Sequence, residues 1–268
     1  MGGCEIIFLG TGGGRFATFM QPRATGGVYV KTAESSLHID PGPGAVVQMH
    51  RLGLDPRKTT VIAISHCHPD HYCDAEVLME AMTEGTRYRR GALFGSVSVV
   101  SGLEKGKIGP AISQYHRSIV ESVRGLRPGE SAEYSGIKLT ATPAAHSDPG
   151  SIGFVVDLPD GRLGYTSDTA FAPDIAAAYA GCRLLIMAVT RPLGGRIPWH
   201  LCTEDAAQFA AITRPELAVI THFGLRVLEA PPETQAAWIE KETGVRTIPA
   251  EDFMCIAVAK TIAIQRRS

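Results

Sequence analysis

The sequence has no apolar run near the roughly 20 residues that cross a bilayer. The runs VIAIS at 61–65 and LLIMAV at 184–189 are soon interrupted, so no membrane span is expected. It has six cysteines (Cys4, Cys67, Cys73, Cys182, Cys202 and Cys255) but no CxxC pair, and its opening, MGGCEIIFLG, lacks a basic stretch followed by a long apolar core. Both absences favour a reduced, cytoplasmic setting over an exported, disulfide-built one. The net charge is only −1, which removes any whole-molecule attraction for nucleic acid and leaves that role to a local patch. Arg87-Tyr88-Arg89-Arg90 is the best such patch, although a solvated loop has the same composition. There is no repeat at 20–50 residues and no low-complexity segment.

What remains is a globular composition: 268 residues, 44% hydrophobic and 20% charged, enough to bury a large core. Short β-branched runs predict strands near residues 5–9, 27–31, 37–40, 61–65, 96–100, 137–141, 152–157, 163–166, 184–189, 217–221 and 255–259. Helical spacing fits 45–51, 74–83, 112–123, 174–179, 204–213 and 233–242, the fifth with Thr203 as N-cap. Asp160-Gly161 between two apolar runs marks a hairpin turn, which puts Asp168 just past the second strand. The alternation predicts an α/β protein. The glycine- and charge-rich stretch 84–129 reads as an insertion over the sheet of a single domain spanning 1–268.

Into that frame falls SHCHPDHYCD, residues 65–74, directly after the run at 61–64. Three of the nine histidines and Asp70 lie within six positions. In an extended segment alternate side chains point the same way, so His66 and His68 reach one point, while Asp70 and His71 follow where the chain turns into a helix. His146 after IKLTATPAA, Asp168 after LGYTS and His222 after ELAVIT occupy the same kind of place, beyond the ends of strands, where ligands commonly bind. Taken singly, His146 or His222 is more simply a satisfied histidine; beside the cluster both become candidates. Five imidazoles and two carboxylates suit Zn²⁺, Mn²⁺ or Fe, and suffice for two divalent ions sharing a carboxylate.

The order HxHxDH, then His146, the Asp168 of SDT and the His222 of TH, resembles the metallo-β-lactamase superfamily over nearly the whole chain. FLGTGGGR, HIDPGPGA and THFG look most like its ribonuclease Z-like and phosphodiesterase branch. The resemblance implies a four-layer αβ/βα sandwich with a dinuclear site at one edge. His66, His68 and His146 would hold one ion, Asp70, His71 and His222 the other, and Asp168 would bridge. It implies a hydrolase whose preferred substrate is a phosphodiester, either a small molecule or nucleic acid, with no membrane partner and a homodimer left open. The alternatives are hydrolysis of a lactone or thioester, a mononuclear iron thiol oxygenase, and a non-catalytic metal-binding module.

Three departures from the family's patterns narrow the choice. Asp168 stands where the β-lactamases of this fold usually carry cysteine, which weakens antibiotic hydrolysis. One hairpin joins His146 to Asp168 where tRNA-processing members usually carry a long arm, which weakens tRNA maturation. The sequence ends soon after His222, whereas flavin-carrying relatives append a flavodoxin-like domain, which weakens electron transfer.

In such a site two ions about 3.5–4 Å apart acidify a shared water and hold the attacking and leaving oxygens. Asp70 is the expected orienter or general base. His200, in PWHLCTEDAAQF, resembles a histidine of the ribonuclease Z-like branch that touches the scissile phosphate; it is expected to steady the phosphoryl oxygen or protonate the leaving group, with helix capping as the alternative. Asp40 reads as a supporting or turn-forming carboxylate. GTGGG at 10–14 lacks the Lys-Ser/Thr of a phosphate cradle and reads as a tight turn beside the site. Tyr115 and His116 are either cover for a substrate or ordinary helix packing.

Overall fold

The β-branched runs pair into two mixed sheets. In the computed structural model, which describes residues 3–266, the chain first lays down β1 (Cys4–Gly10), β2 (Thr25–Lys31), β3 (Ser36–Ile39), β4 (Val61–Ile64), β5 (Ala92–Ser96) and β6 (Ser122–Leu126). It crosses to the second sheet with β7 (Ser131–Tyr134), β8 (Ile137–Pro143), β9 (Ile152–Leu158), β10 (Gly161–Tyr165), β11 (Cys182–Arg191), β12 (Leu201–Cys202), β13 (Leu217–Thr221) and β14 (Thr247–Pro249). It then returns to the first with β15 (Met254–Val258) and β16 (Ile262–Arg266). The orders are β16-β15-β1-β2-β3-β4-β5-β6 and β14-β13-β11-β10-β9-β8-β7, with β12 beside β11.

Burial follows the pleat. In β11, Leu184 and Ile186 face the first sheet, while Leu185, Met187 and Val189 face the helices outside. A strand buried on both sides has to be apolar throughout, which is why 184–189 reads as an unbroken run. Between the sheets Ile6, Phe8, Val30, Ile39 and Phe94 meet Leu139, Phe154, Val156, Ile186 and Val219. Outside the first sheet Ile62 and Ile64 pack on the helices Ala45–Arg51 and Ala75–Met82; outside the second, Met187 and Ile220 pack on Thr203–Thr213 and Pro232–Thr243. The result is the four-layer αβ/βα sandwich. Phe154 is fully buried at its centre, and truncating it to alanine is expected to cost about 3–5 kcal/mol.

Three local expectations are corrected. Residues 96–100 are not a strand: β5 ends at Ser96, whose Oγ accepts from Val99 N at 3.3 Å and caps the short helix Val97–Val100. The predicted helix at 112–123 is shorter, Gln114–Ile119, and the chain then forms β6. The stretch 84–129 thus supplies two strands to the first sheet as well as the helices that cover it. Thr203 is the first helical residue rather than the cap. Cys202 is the cap, paired with Asp205, and Thr203 Oγ1 donates instead to Gln235 Oε1 at 2.8 Å. Among the described residues no helix is long and apolar enough to cross a membrane.

Candidate metal centre

The candidate ligands come from strand ends at one edge of the sandwich. After β4, Ser65 leads into His66 and His68, and Pro69 opens the short helix Pro69–Tyr72 that carries Asp70 and His71. His146 follows β8, Asp168 follows β10 and His222 follows β13. The backbone there is strained: Asp40, Ser167, Trp199 and His222 have φ of 49°, 54°, 68° and 60°, a left-handed conformation that side chains resist and that persists where surroundings over-determine it.

Two sets of donors converge. His66 Nε2 and His146 Nε2 lie 3.0 and 3.1 Å from His68 Nδ1. In the second set His222 Nε2 lies 3.2 Å from His71 Nε2 and 3.5 Å from Asp70 Oδ2, and His71 Nε2 is 3.6 Å from Asp70 Oδ2. Asp168 Oδ2 stands between them, 3.7 Å from His71 Nε2 and 4.0 Å from His146 Nε2. Nitrogens at 2.0–2.1 Å from a tetrahedral zinc stand roughly 3.3 Å apart, so these separations suit the edges of coordination polyhedra. Among the described residues Asp168 Oδ1 is buried with no hydrogen-bond partner, although His222 Nδ1 lies 3.2 Å away. An unpaired buried acceptor costs about 1–3 kcal/mol, which a bound cation offsets. The donor chemistry and this orphaned oxygen both fit divalent ions.

Charge points the same way. Burial pushes the His66, His68 and His146 imidazoles below their ordinary range, His146 to about 4, leaving neutral nitrogens free to ligate. Burial alone would raise the Asp70 and Asp168 carboxyls, but His71 and His222 hold both ionised, well below the usual range. His71 is driven up against its own burial by Asp70 and Asp40. Positive charge is thus favoured between the carboxylates.

Neighbouring groups fix the rings. His71 Nδ1 donates to Asp40 Oδ2 at 2.8 Å, and the same carboxylate accepts from Ser65 N, Ser65 Oγ and Tyr165 Oη at 2.7–2.8 Å. Asp40 is therefore a support, not a ligand. His146 Nδ1 donates to Trp199 O at 3.0 Å, and His222 Nδ1 meets Thr190 Oγ1 at 3.2 Å. Sequence reasoning missed Asp148, which accepts from Cys67 N at 3.0 Å and Ser98 Oγ at 2.6 Å and so fastens the loop between His66 and His68. Its only signal was the turn-like Asp148-Pro149-Gly150.

The remaining candidates divide. His200 lies at the mouth of the site, Nε2 3.4 Å from Asp168 Oδ2 and Nδ1 3.1 Å from Pro198 O, and its side chain is 21% exposed. Burial opposes its protonation, but Asp168 outweighs it and raises the imidazole pKa. It plays no part in the helix cap. In GTGGG the amides are spent internally: Gly12 N on Ala24 O, Gly13 N on Phe223 O and Gly14 N on Asp70 Oδ2. That loop is a tight turn, and a Cβ on Gly13 would stand 2.2–2.3 Å from the His222 ring. Arg89 donates to Val120 O and Arg90 to Met82 O and Glu84, so both hold the fold; Arg87 lies against the Tyr88 ring. All three precede β5, at the end of the first sheet opposite the histidines. His116 pairs with Glu76 and Glu80 on the neighbouring helix, a packing role, while Tyr115 stays exposed.

The chain matches a family model described as beta-lactamase superfamily domain over residues 36–223, a span that contains every candidate ligand. It is 44% identical over 248 residues to uncharacterized protein MJ1374 of Methanocaldococcus jannaschii, with 92% of each chain covered. Among solved structures it is similar to the metallo-beta-lactamase fold protein YhfI from Bacillus subtilis, with a TM-score of 0.78, 15% identity and coverage of 96% of this chain and 100% of that one. It is also similar to human tRNase Z, short form, with a TM-score of 0.68, 20% identity and coverage of 95% and 99%. At these identities the two structures speak to the fold alone.

Proposed function

The chain belongs to the metallo-β-lactamase superfamily of metal-dependent hydrolases, and from that premise we propose that it cleaves a small-molecule phosphodiester with two divalent ions, Zn²⁺ foremost. His66, His68 and His146 would hold one ion and Asp70, His71 and His222 the other, with Asp168 standing between the two sets. Bound there, the ions supply Lewis acidity and an acidified water.

The observation that carries the reading is His200. Its imidazole, 3.4 Å from Asp168, which favours the protonated form, and open to solvent on one side, is typed to donate to a phosphoryl oxygen or to a departing alkoxide. Lactone and thioester cleavage have less need of such a donor beside the leaving group. Asp70 is held well below the usual carboxylate range, mainly by His71 working against burial; so weak a base is suited to orienting water rather than keeping its proton. A small-molecule diester is favoured over nucleic acid because Arg89 and Arg90 are occupied by the chain's own carbonyls.

The test is a substrate panel with the metal-loaded protein: bis-p-nitrophenyl phosphate beside a lactone, a thioester, nitrocefin and, with oxygen uptake recorded, a persulfide. Turnover of the diester in preference to the others is expected. Preferred turnover of another ester, or oxygen consumption with the persulfide, contradicts the proposal, and a fully metallated protein inert to all of them is a binding module.

A further inference from the structure

Beside the metal centre lies a second cavity, about 700 Å³, whose walls include Arg15, Phe16, Arg191, Arg226 and Glu229. It is built from the same segments that shape the centre. Arg15 follows Gly14, whose amide binds Asp70. Arg191 ends β11, next to Thr190, which meets the His222 ring. Arg226 lies four residues beyond His222, in the first turn of the helix Leu225–Glu229.

Among the described residues no carboxylate lies within ion-pair distance of Arg15, Arg191 or Arg226, in contrast to Arg57, Arg90, Arg183 and Arg196. Among those residues Arg191 Nε is buried with no hydrogen-bond partner, and burial together with the like charge of Arg226 makes its guanidinium easier to deprotonate. Both are costs to the free protein that an anion would reverse. With Glu229 as the one acidic side chain in the wall, three guanidiniums leave an excess charge of two. The planar fork of arginine matches the oxygens of a phosphoryl group in pairs, and the 63% exposed Phe16 ring offers an apolar lip to the carbon atoms that bear it.

We propose that this cavity is an anion subsite that takes a phosphomonoester on the far arm of the diester, so that the substrate carries one phosphate to be cleaved and a second to be gripped. The proposal rests on the phosphodiesterase reading above. Arg226 and Arg191 grip, Arg15 adds charge at the rim, and the scissile group is held over the metals by its distant partner, a use of binding energy remote from the reacting bond.

The experiment compares two p-nitrophenyl phosphodiesters on the metal-loaded protein, one with a propyl arm and one with a 3-phosphonopropyl arm. A preference of tenfold or more in kcat/KM for the phosphonate arm is expected, residing mainly in KM and shrinking with added salt. Arg226→Gln, an exposed position that folding tolerates, and Arg191→Gln should bring the ratio near one, and Arg226→Lys should restore part of it. A wild-type ratio near one, or a preference that survives both glutamine variants, overturns the subsite. If no diester is cleaved, the proposed function falls, and the subsite is judged by calorimetric binding of phenylphosphonate: affinity tenfold weaker in Arg226→Gln supports it, and equal affinity refutes it.

Discussion

Asp40 Oδ2 accepts from His71 Nδ1 at 2.8 Å in a fully buried contact, and this fixes which nitrogen of His71 faces the candidate metal centre. Replacing Asp40 with alanine frees that ring and also strips Ser65 and Tyr165 of their acceptor. Metal affinity is expected to fall about 10–100-fold, with a loss of stability. Asp40→Asn, which keeps one acceptor oxygen, should lose less of both. Competition with a chromogenic chelator measures the first effect and urea unfolding the second; unchanged affinity in Asp40→Ala would show that the contact does not orient a ligand.

Gly13 makes room for His222. A Cβ there would stand 2.2–2.3 Å from the imidazole, too close for either to stay, so Gly13→Ala should push the ring out of the second donor set. Metal content is expected to drop by about one ion per chain, with the set of His66, His68 and His146 still filled. Two ions retained in a folded Gly13→Ala protein would contradict the geometry.

If His200 is the proton donor, its loss should depend on the leaving group. With p-nitrophenolate, which departs unprotonated, His200→Ala should slow turnover only modestly; with an alkyl alcohol the loss should reach about 10²–10⁴-fold. A loss equal for both leaving groups assigns His200 to the phosphoryl oxygen instead.

His38 offers a pH test away from the ligands. It is fully buried in β3 with Nε2 2.8 Å from Gly26 O, and burial lowers its pKa to about 4. The unfolded chain takes up this proton near pH 6.5, the native chain only near 4. Stability from this group is therefore complete above pH 6.5 and is lost as pH falls toward 4, by roughly 3 kcal/mol in all. His38→Gln keeps a donor for Gly26 and removes the titration, so its unfolding free energy should drop less than wild type's between pH 7 and 4.5, by about 2–3 kcal/mol. An equal drop in unfolding free energy for wild type and variant, measured by urea unfolding at the two pH values, would refute this.

The legible parts of the site were those set by strand ends. His66 to His71, His146, Asp168 and His222 each follow an apolar run, so their shared edge could be read from periodicity and their partnership from the cluster. Asp148 and the role of Asp40 toward His71 were not legible, because each depends on contacts across the fold with no local pattern. In the fold the errors had physical causes. SVSVV at 96–100 has strand propensity, but the Ser96 cap turned it helical. The run 112–123 has helical spacing, but β6 takes up its end by pairing with β5. The arginines at 87–90 read as a basic patch because a sequence does not show that Arg89 and Arg90 spend their donors on Val120 and Met82.

The most direct test of the central claim is a titration of the metal-free protein with Zn²⁺, following hydrolysis of bis-p-nitrophenyl phosphate. Two ions held by His66, His68, Asp70, His71, His146, Asp168 and His222 predict that activity appears with metal and reaches its plateau at two equivalents per chain. A plateau at one equivalent, or no hydrolysis at any loading, would contradict it.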